Sequence, residues 1–249
     1  MNNQIAFICQ DEELLPFACE ITRIISDLQV LSMPAIVPYV YLLLKLDGLW
    51  LYTPSFEPFH LDKFYAEFIA KRRKIIGKEL LIKAANPKVV DKKLIALDLT
   101  AGIGRDSILL LLAGYRVTML ENNPYLAIIL NYLRLAFSSV LADLTVLYTN
   151  NHDFLISSSD NYDLVYYDPM FEDGKMALAK KEMQIIDFLI EVSAIGVGSD
   201  NNEMWQLLKS HCSGKVIVKR DNKQKELFGS IKPTYAIKGK TVRFDVYQC

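Results

Sequence analysis

Between residues 95 and 167 the chain alternates short apolar runs with longer segments that are apolar on one or more faces. A short apolar run bounded by polar residues or glycine is typical of a buried parallel strand, whereas apolar residues three or four positions apart are typical of a helix. Strands and helices that alternate predict a parallel sheet covered by helices. The predicted strands are 95–99, 115–120, 144–148 and 164–167, with helices at 107–112 and 125–137.

The pattern continues on both sides of this segment. Towards the C-terminus it predicts helices at 175–195 and 201–211, a strand at 215–218, and a hairpin at 236–247 that turns at Gly239-Lys240. Towards the N-terminus two β-rich runs, 39–46 and 49–53, are separated by Asp47-Gly48, which favours a two-residue hairpin turn. We therefore predict a small N-terminal α/β region at 1–70 and one larger domain at 71–249.

Composition narrows the class of protein. The chain has 249 residues, of which 51% are apolar and 23% charged, and this is typical of a globular protein. Its four cysteines form no CxxC pair and its three histidines no HExxH motif, so we expect a reduced cytoplasmic protein without a metal site. The start has no signal peptide pattern, and prolines 34 and 38 interrupt the most apolar window, so no membrane span is expected.

A glycine-rich turn follows the strand that ends near Asp98. Gly102 and Gly104 carry no Cβ, so a ligand can lie against their backbone, and Glu121 ends the next strand, where a carboxylate can accept hydrogen bonds from a ribose. The dinucleotide fingerprint requires a third glycine where this chain has Ser107, and no P-loop lysine is present. S-adenosylmethionine (SAM) has no phosphate, and Asp98 or Asp106 would favour its cationic end. An ordinary turn without a ligand is the alternative.

Two further polar motifs end predicted strands at the same sheet edge. Residues 150–153 read Asn-Asn-His-Asp, which suits either hydrogen bonds to an adenine edge or an Asx turn. Asp168, Pro169 and Phe171 belong to an Asp-Pro-Met-Phe tetrapeptide. A carboxylate and a backbone carbonyl can orient an exocyclic amine for methylation, and an aromatic ring can stack on its base. A plain strand-to-loop turn would use the same Asp-Pro pair.

Charge is unevenly distributed although the formal net charge is only −1. Residues 1–70 hold nine acidic and three basic side chains, whereas 71–93 hold nine basic and two acidic ones. Residues 209–243 hold ten basic and two acidic ones. Basic stretches on both sides of the glycine turn indicate a phosphate-binding face if they converge, although solvated lysines give the same pattern. The candidate RNA contacts are Arg72, Arg73, Lys74, Lys219 and Arg220.

Several motifs together resemble one family. The segments DLTAGIGRDS, LENNP, YDPMF, ALAKKEM, VIVKR and RFDVY, with the basic run AKRRK before them, are similar to the ribosomal RNA small subunit methyltransferase J family. The resemblance extends from about Arg72 to Tyr247 and implies a Rossmann-like class I fold, SAM as cofactor, and methylation of the exocyclic N2 of a guanosine in 16S rRNA. It implies cofactor contacts at Arg105, Asp106, Glu121, Asn122, Asn151, His152, Asp153 and Asp168.

The sequence departs from the family pattern in two places. Glu172 stands where the family has proline after DPMF, and the 150–153 tip differs from the small residues expected there. We predict a cytoplasmic methyltransferase whose partner is 16S rRNA or the small ribosomal subunit, with Asp168, Pro169 and Phe171 at the amine. The alternatives are methylation of another planar amine in DNA or a protein amide, a non-catalytic SAM- or RNA-binding protein, and a dinucleotide oxidoreductase.

Overall fold

The computed structural model describes residues 6–26, 28–32, 40–54, 56–87, 92–169, 189 and 201–249. These residues form two sheets. The smaller sheet contains β1 (Phe7–Cys9), β2 (Val30–Leu31), β3 (Tyr41–Lys45), β4 (Gly48–Thr53) and β5 (Phe56–His60). The larger sheet contains β6 (Ile95–Asp98), β7 (Arg116–Glu121), β8 (Leu144–Tyr148), β9 (Tyr162–Tyr167), β10 (Cys212–Asp221), β11 (Tyr235–Lys238) and β12 (Val242–Gln248).

Eight α-helices are present in the described residues. Short 3-10 turns at Glu12–Leu14 and Ile76–Lys78 precede the first and third of them. The helices are α1 (Leu15–Thr22), α2 (Leu61–Arg73), α3 (Leu80–Ala85), α4 (Arg105–Leu112), α5 (Pro124–Ala136), α6 (Ser138–Leu141), α7 (Asn151–Ser157) and α8 (Asn201–Ser210). The predicted helix at 175–195 and Phe171 fall outside the described residues, apart from Leu189.

The larger sheet has the order β11-β12-β10-β9-β6-β7-β8. Strands β6 to β10 are parallel, and β12 pairs antiparallel with both β10 and β11. The chain winds outward from β6 through β7 to β8, then returns to β9 on the other side of β6. The direction of winding therefore reverses between β6 and β9, and ligands bind at such a point in open α/β sheets. The predicted Rossmann-like fold and its C-terminal hairpin are confirmed.

The smaller sheet contains the predicted hairpin, shifted at its turn. Lys45 pairs with Gly48, so the turn residues are Leu46 and Asp47 rather than Asp47 and Gly48. Gly48 has a φ of 124°, and a Cβ there would lie 2.1 Å from Oδ2 of Asp62, which accepts a hydrogen bond from the Leu49 amide. Glycine is needed at this position because α2 approaches the hairpin closely.

Helix α5 connects the two sheets. Asn123 caps it by accepting hydrogen bonds from the amides of Tyr125 and Leu126, and nine of its thirteen residues are buried. One hydrophobic cluster joins it to the inner face of the smaller sheet and to one face of the larger. Helix α2 runs through the predicted boundary at residue 70, and the core is continuous across that boundary. The division into two domains stays a prediction.

Candidate active site

A cleft of about 610 Å³ opens at the carboxyl edge of the larger sheet, where the winding reverses. Its lining comes from the turn after β6, the tips of β7, β8, β9 and β10, helices α2 and α4, and strand β12. Parallel strands deliver their last residues to the same edge, which explains why motifs far apart in sequence meet here.

Asp98 lies behind the cleft and shapes the glycine turn. Its carboxylate accepts hydrogen bonds from the Thr100 amide at 3.0 Å and from the Ser107 hydroxyl at 2.6 Å, so it ties the turn to the first turn of α4. Burial raises the pKa of Asp98 to about 7, although both hydrogen bonds oppose this shift. Ser107 therefore replaces the third glycine of the dinucleotide fingerprint with a side chain that fixes the turn.

The two glycines of the turn have different roles. Gly102 lines the cleft with a φ of 56°, and a Cβ built there meets no atom within 4 Å, so its backbone faces open space. Gly104 has a φ of 75°, and a Cβ there would lie 2.8 Å from Cδ2 of Leu130. Only Gly102 lets a ligand approach the main chain, whereas Gly104 allows the turn to pack against α5.

Glu121 closes one end of the cleft at the tip of β7. Its carboxylate accepts hydrogen bonds of 2.8 Å from the amides of Gly102 and Asn123, which hold the side chain against the glycine turn. Burial raises the pKa of Glu121 to about 7, against the effect of these backbone donors. A ligand hydroxyl that donates to this carboxylate would favour its charged form.

The tip of β8 forms the adjoining wall. Asn150 accepts hydrogen bonds from the amides of His152 and Asp153 and so caps α7, which is the arrangement of the Asx alternative. Asn151, His152 and Asp153 nevertheless line the cleft together with Asn150. Nε2 of His152 lies 3.3 Å from a carboxylate oxygen of Glu203 on α8, which positions the ring.

Three charged side chains meet at the centre of the cleft. Nζ of Lys219 lies 2.8 Å from Oδ2 of Asp168 and 3.0 Å from Oδ2 of Asp106, and the Tyr166 hydroxyl donates to the same Asp106 oxygen. The amide of Asp168 donates to the Thr100 hydroxyl at 2.8 Å, which ties the tip of β9 to the glycine turn. Asp168 is thereby fixed by both its backbone and its side chain.

Burial and ion pairing affect these three groups in opposite directions. Burial raises the pKa of Asp168 above its usual value, although Lys219 opposes this shift. Burial would also raise the pKa of Asp106, but Lys219 and the Tyr166 hydroxyl outweigh it and hold the pKa below its usual value. The two carboxylates raise the pKa of Lys219, so this side chain is cationic at neutral pH despite its burial.

The other end of the cleft is built around an aromatic ring. The guanidinium groups of Arg72 and Arg105 each lie 5.4 Å from the centre of the Phe68 ring, and Arg72 forms an ion pair with Glu79. Phe244 on β12 adds an apolar surface. Phe68, Tyr166, Glu79 and Phe244 were not among the predicted site residues. The family-like RFDVY segment contains Phe244 and was the available signal for that residue.

The predicted site residues are distributed as follows. Asp98 and Gly104 lie outside the lining, and Arg73 and Lys74 are exposed beyond it at the end of α2. Arg220 is buried, and its guanidinium donates to the Lys225 carbonyl on the opposite face of β10 from Lys219, so its assignment as an RNA contact stays a prediction. The residues that line the cleft are Arg72, Gly102, Arg105, Asp106, Glu121, Asn122, Asn151, His152, Asp153, Asp168, Pro169 and Lys219.

Metal and membrane features were also searched in the described part of the chain. No three His, Cys, Asp or Glu side chains of that part are grouped so that they could hold a metal ion. Within the same residues, no helix has the length and apolar character needed to cross a membrane.

The reversal of winding, the glycine turn beside it and the antiparallel C-terminal strand define a Rossmann-like fold. The family model for SAM-dependent methyltransferases matches residues 40–249, so the chain is a SAM-dependent methyltransferase. The crystal structure of the SAM-dependent methyltransferase NGO1261 from Neisseria gonorrhoeae is 24% identical, covers 98% of this chain and 96% of its own, and has a TM-score of 0.66. At that identity the likeness shows the fold.

Proteins of similar sequence identify one family within the SAM-dependent methyltransferases. The ribosomal RNA small subunit methyltransferase J of Legionella pneumophila (strain Philadelphia 1) is 35% identical over 199 residues, which cover 74% of this chain and 75% of the relative. The protein of that name from Francisella tularensis subsp. novicida is 32% identical over 166 residues, covering 62% and 66%. The chain belongs to the ribosomal RNA small subunit methyltransferase J family.

Proposed function

We propose that this enzyme methylates the exocyclic N2 of a guanosine in 16S rRNA, within the small ribosomal subunit, and that it does so in the cytoplasm. Two relatives carry the name of an rRNA small subunit methyltransferase. The observation that carries the proposal is the position of Asp168. Its carboxylate lies in the cleft beside Pro169, at the end of a central strand and next to the glycine turn.

The residues of the cleft fit SAM. Open space above Gly102 accommodates a ligand against the backbone, and Glu121 offers carboxylate oxygens to ribose hydroxyls. Asn122 and residues 151–153 would surround the adenine. Asp106 would pair with the amino group of the methionine part and Arg105 with its carboxylate, because opposite charges attract strongly in a partly buried site. When bound, SAM supplies a methyl group on a positively charged sulfur.

The protein's task at the amine is orientation. The guanine is extruded from the RNA into the cleft, where its amine donates hydrogen bonds to Asp168 and to the Pro169 carbonyl. These bonds point the nitrogen lone pair at the methyl group, and Phe171 stacks on the base. The nitrogen would take the methyl group as its bond to sulfur breaks, which leaves S-adenosylhomocysteine, and the cationic nitrogen would then lose one proton to water. Asp168 and Pro169 therefore accelerate transfer by holding one geometry.

The basic end of α2 suits the RNA backbone. Arg72 lines the cleft, whereas its sequence neighbours Lys71, Arg73 and Lys74 are exposed outside the lining. Lysine and arginine side chains in such a cluster attract phosphates and release counterions on binding. We place the phosphates next to the extruded guanosine at this end, close to the Phe68 ring.

The proposal is tested by methyl transfer from labelled SAM to small subunits and to naked rRNA. Both substrates are taken from cells that lack the protein and from normal cells, and the modified base is identified. Label in N2-methylguanine, only with RNA from the deficient cells, is the expected result. Transfer to DNA or to a protein amide instead, or SAM binding without any transfer, would overturn the assigned substrate.

A further inference from the structure

Lys219 was expected to contact RNA phosphate, but its side chain is turned into the cleft between two carboxylates. We propose that Lys219 is a positioning residue, whose ammonium group keeps Asp168 ionised and turned towards the target amine. This inference rests on the proposed function, because it concerns the carboxylate that would hold the amine.

Strand register brings the two side chains together. Val218 on β10 lies opposite Tyr167 on β9, so the next residues, Lys219 and Asp168, are neighbours on the same face. The lysine stem needs to cross only one strand spacing to place Nζ 2.8 Å from Oδ2 of Asp168. This contact follows from the sheet itself and does not depend on a mobile surface side chain.

Asp106 fixes the ammonium group from the other side. Its Oδ2 accepts from both the Lys219 ammonium at 3.0 Å and the Tyr166 hydroxyl at 2.7 Å. Lys219 is therefore held between a carboxylate at the start of α4 and one at the tip of β9. Lys219 takes Oδ2 of Asp168, and no donor in the described part of the chain contacts Oδ1, so this second oxygen can accept from the amine.

The charge balance around Asp168 depends on this lysine. Burial favours a protonated Asp168, and a protonated carboxyl would offer the amine a donor where it needs an acceptor. Removing the lysine would leave Asp168 next to other acids. The titratable groups that face it are Asp98 from β6, Asp106 from α4, Tyr166 from β9 and Lys219 from β10, and the charge of Arg220 acts on it from the opposite face of β10.

The test compares Lys219→Met, which removes the charge, with Lys219→Arg, which keeps it. Lys238→Met is the matched control, because Lys238 is exposed on β11 of the same sheet. The carboxyl carbon of Asp168 is followed by NMR as pH is varied, with its signal assigned from its loss in Asp168→Asn. The pH dependence of kcat and the KM for RNA are measured on the same proteins.

Lys219→Met should raise the titration midpoint of Asp168 by about one pH unit or more, the usual effect of losing an adjacent opposite charge. The acid limb of the pH profile of kcat should move to higher pH by the same amount. On the acid side of this limb, kcat of the variant should therefore be about tenfold lower than that of the wild type, and it should recover at higher pH. Lys219→Arg should restore both values. Lys238→Met should leave them as in the wild type.

An unchanged Asp168 midpoint in Lys219→Met would overturn the inference. So would a raised KM for RNA with a smaller salt dependence and an unaltered pH profile, which is the behaviour of a phosphate contact. The titration midpoint of Asp168 is measured by NMR and does not depend on catalytic turnover. A wild-type protein that methylates no rRNA would therefore count against the proposed function, while the midpoint would still decide the role of Lys219.

Discussion

The Glu121 end of the cleft and its charged centre are built differently. At the Glu121 end, the carboxylate is held by the backbone amides of Asn123 and Gly102, which are 2 and 19 residues away. At the charged centre, side chains are held by other side chains far away in sequence, such as Lys219, which is 51 residues from Asp168 and 113 from Asp106. The Glu121 end is shaped by turns within one βαβ unit, and the charged centre by the assembled sheet.

This difference in construction matches a difference in role between cofactor binding and methyl transfer. At the Glu121 end the holding donors are backbone amides, which do not titrate and keep the carboxylate in one place, and this suits a ligand that is the same in every cycle. At the charged centre each group is held by another charge, so its geometry responds to pH and to the partner that enters it. Substitutions at the two places should therefore have different effects.

The largest effect is expected at the charged centre. Asp168→Ala removes the acceptor of the amine and should lower kcat by at least about a hundredfold, as the loss of one preorganised hydrogen-bonding group usually does. Affinity for S-adenosylhomocysteine, measured by calorimetry, should change much less. Normal turnover in this variant would show that the amine is oriented by other groups.

The glycine turn offers a matched pair at the Glu121 end. Gly104→Ala should lower the free energy of unfolding by about 1–3 kcal/mol, because its Cβ would press on Leu130 at a positive φ. Gly102→Ala should chiefly weaken S-adenosylhomocysteine binding, because its Cβ points into the open cleft. Urea unfolding and calorimetry on both variants separate the two roles. The reverse outcome, with Gly104→Ala stable and Gly102→Ala unfolded, would contradict them.

A smaller effect is expected at the mouth. Arg73→Ala and Lys74→Ala should each weaken RNA binding only a few fold and lower the slope of log affinity against log salt by about one, which is typical of a lost phosphate contact. Lys238→Ala, on the exposed β11, serves as the control. Equal salt slopes in all of these proteins would place the RNA elsewhere.

The smallest change in turnover is expected for Asp98→Asn, which keeps an oxygen acceptor for Thr100. Burial raises the pKa of Asp98 from 3.8 to about 7, so the folded state binds this proton more tightly than the unfolded chain does. The resulting stability is fully present below about pH 4 and is lost as pH rises to about 7. Urea unfolding from pH 4 to 8 should show wild-type stability falling relative to Asp98→Asn. Parallel curves would mean that the pKa of Asp98 is not raised.

Sequence patterns predicted the locally built parts best. The succession of strands and helices along the chain, the glycine turn and the place of Glu121 at a strand end depend on periodicity and turn chemistry within some thirty residues, and the structure confirms the fold that they imply. The arrangement of the charged centre was harder to predict from the sequence. Asp168 and Asp106 were named, but the pairing of Lys219 with both depends on the β9–β10 register, which no single segment contains.

Other details of the structure could not be predicted from the sequence, for similar reasons. Arg220 and Lys219 are neighbours in one basic run, yet alternation along β10 places them on opposite faces. Phe68 was not predicted as a residue of the cleft, because its role depends on where α2 packs. The hairpin turn lies one residue earlier than predicted, because Asp62 on α2 requires a glycine on the strand side of the turn.

The burial of α5 between two sheets has a consequence for biosynthesis. The Tyr125 hydroxyl donates to the Val40 carbonyl, 85 residues earlier, and the Asn131 side chain donates to the Ile21 carbonyl, 110 residues earlier. The inner face of the smaller sheet packs into one cluster with α1, α2 and α5, and α5 is translated last, so this core is incomplete until α5 has emerged. Long-range contacts of this kind slow folding and leave strand edges exposed meanwhile. The N-terminal segment of this protein therefore completes its core only after α5 has left the ribosome.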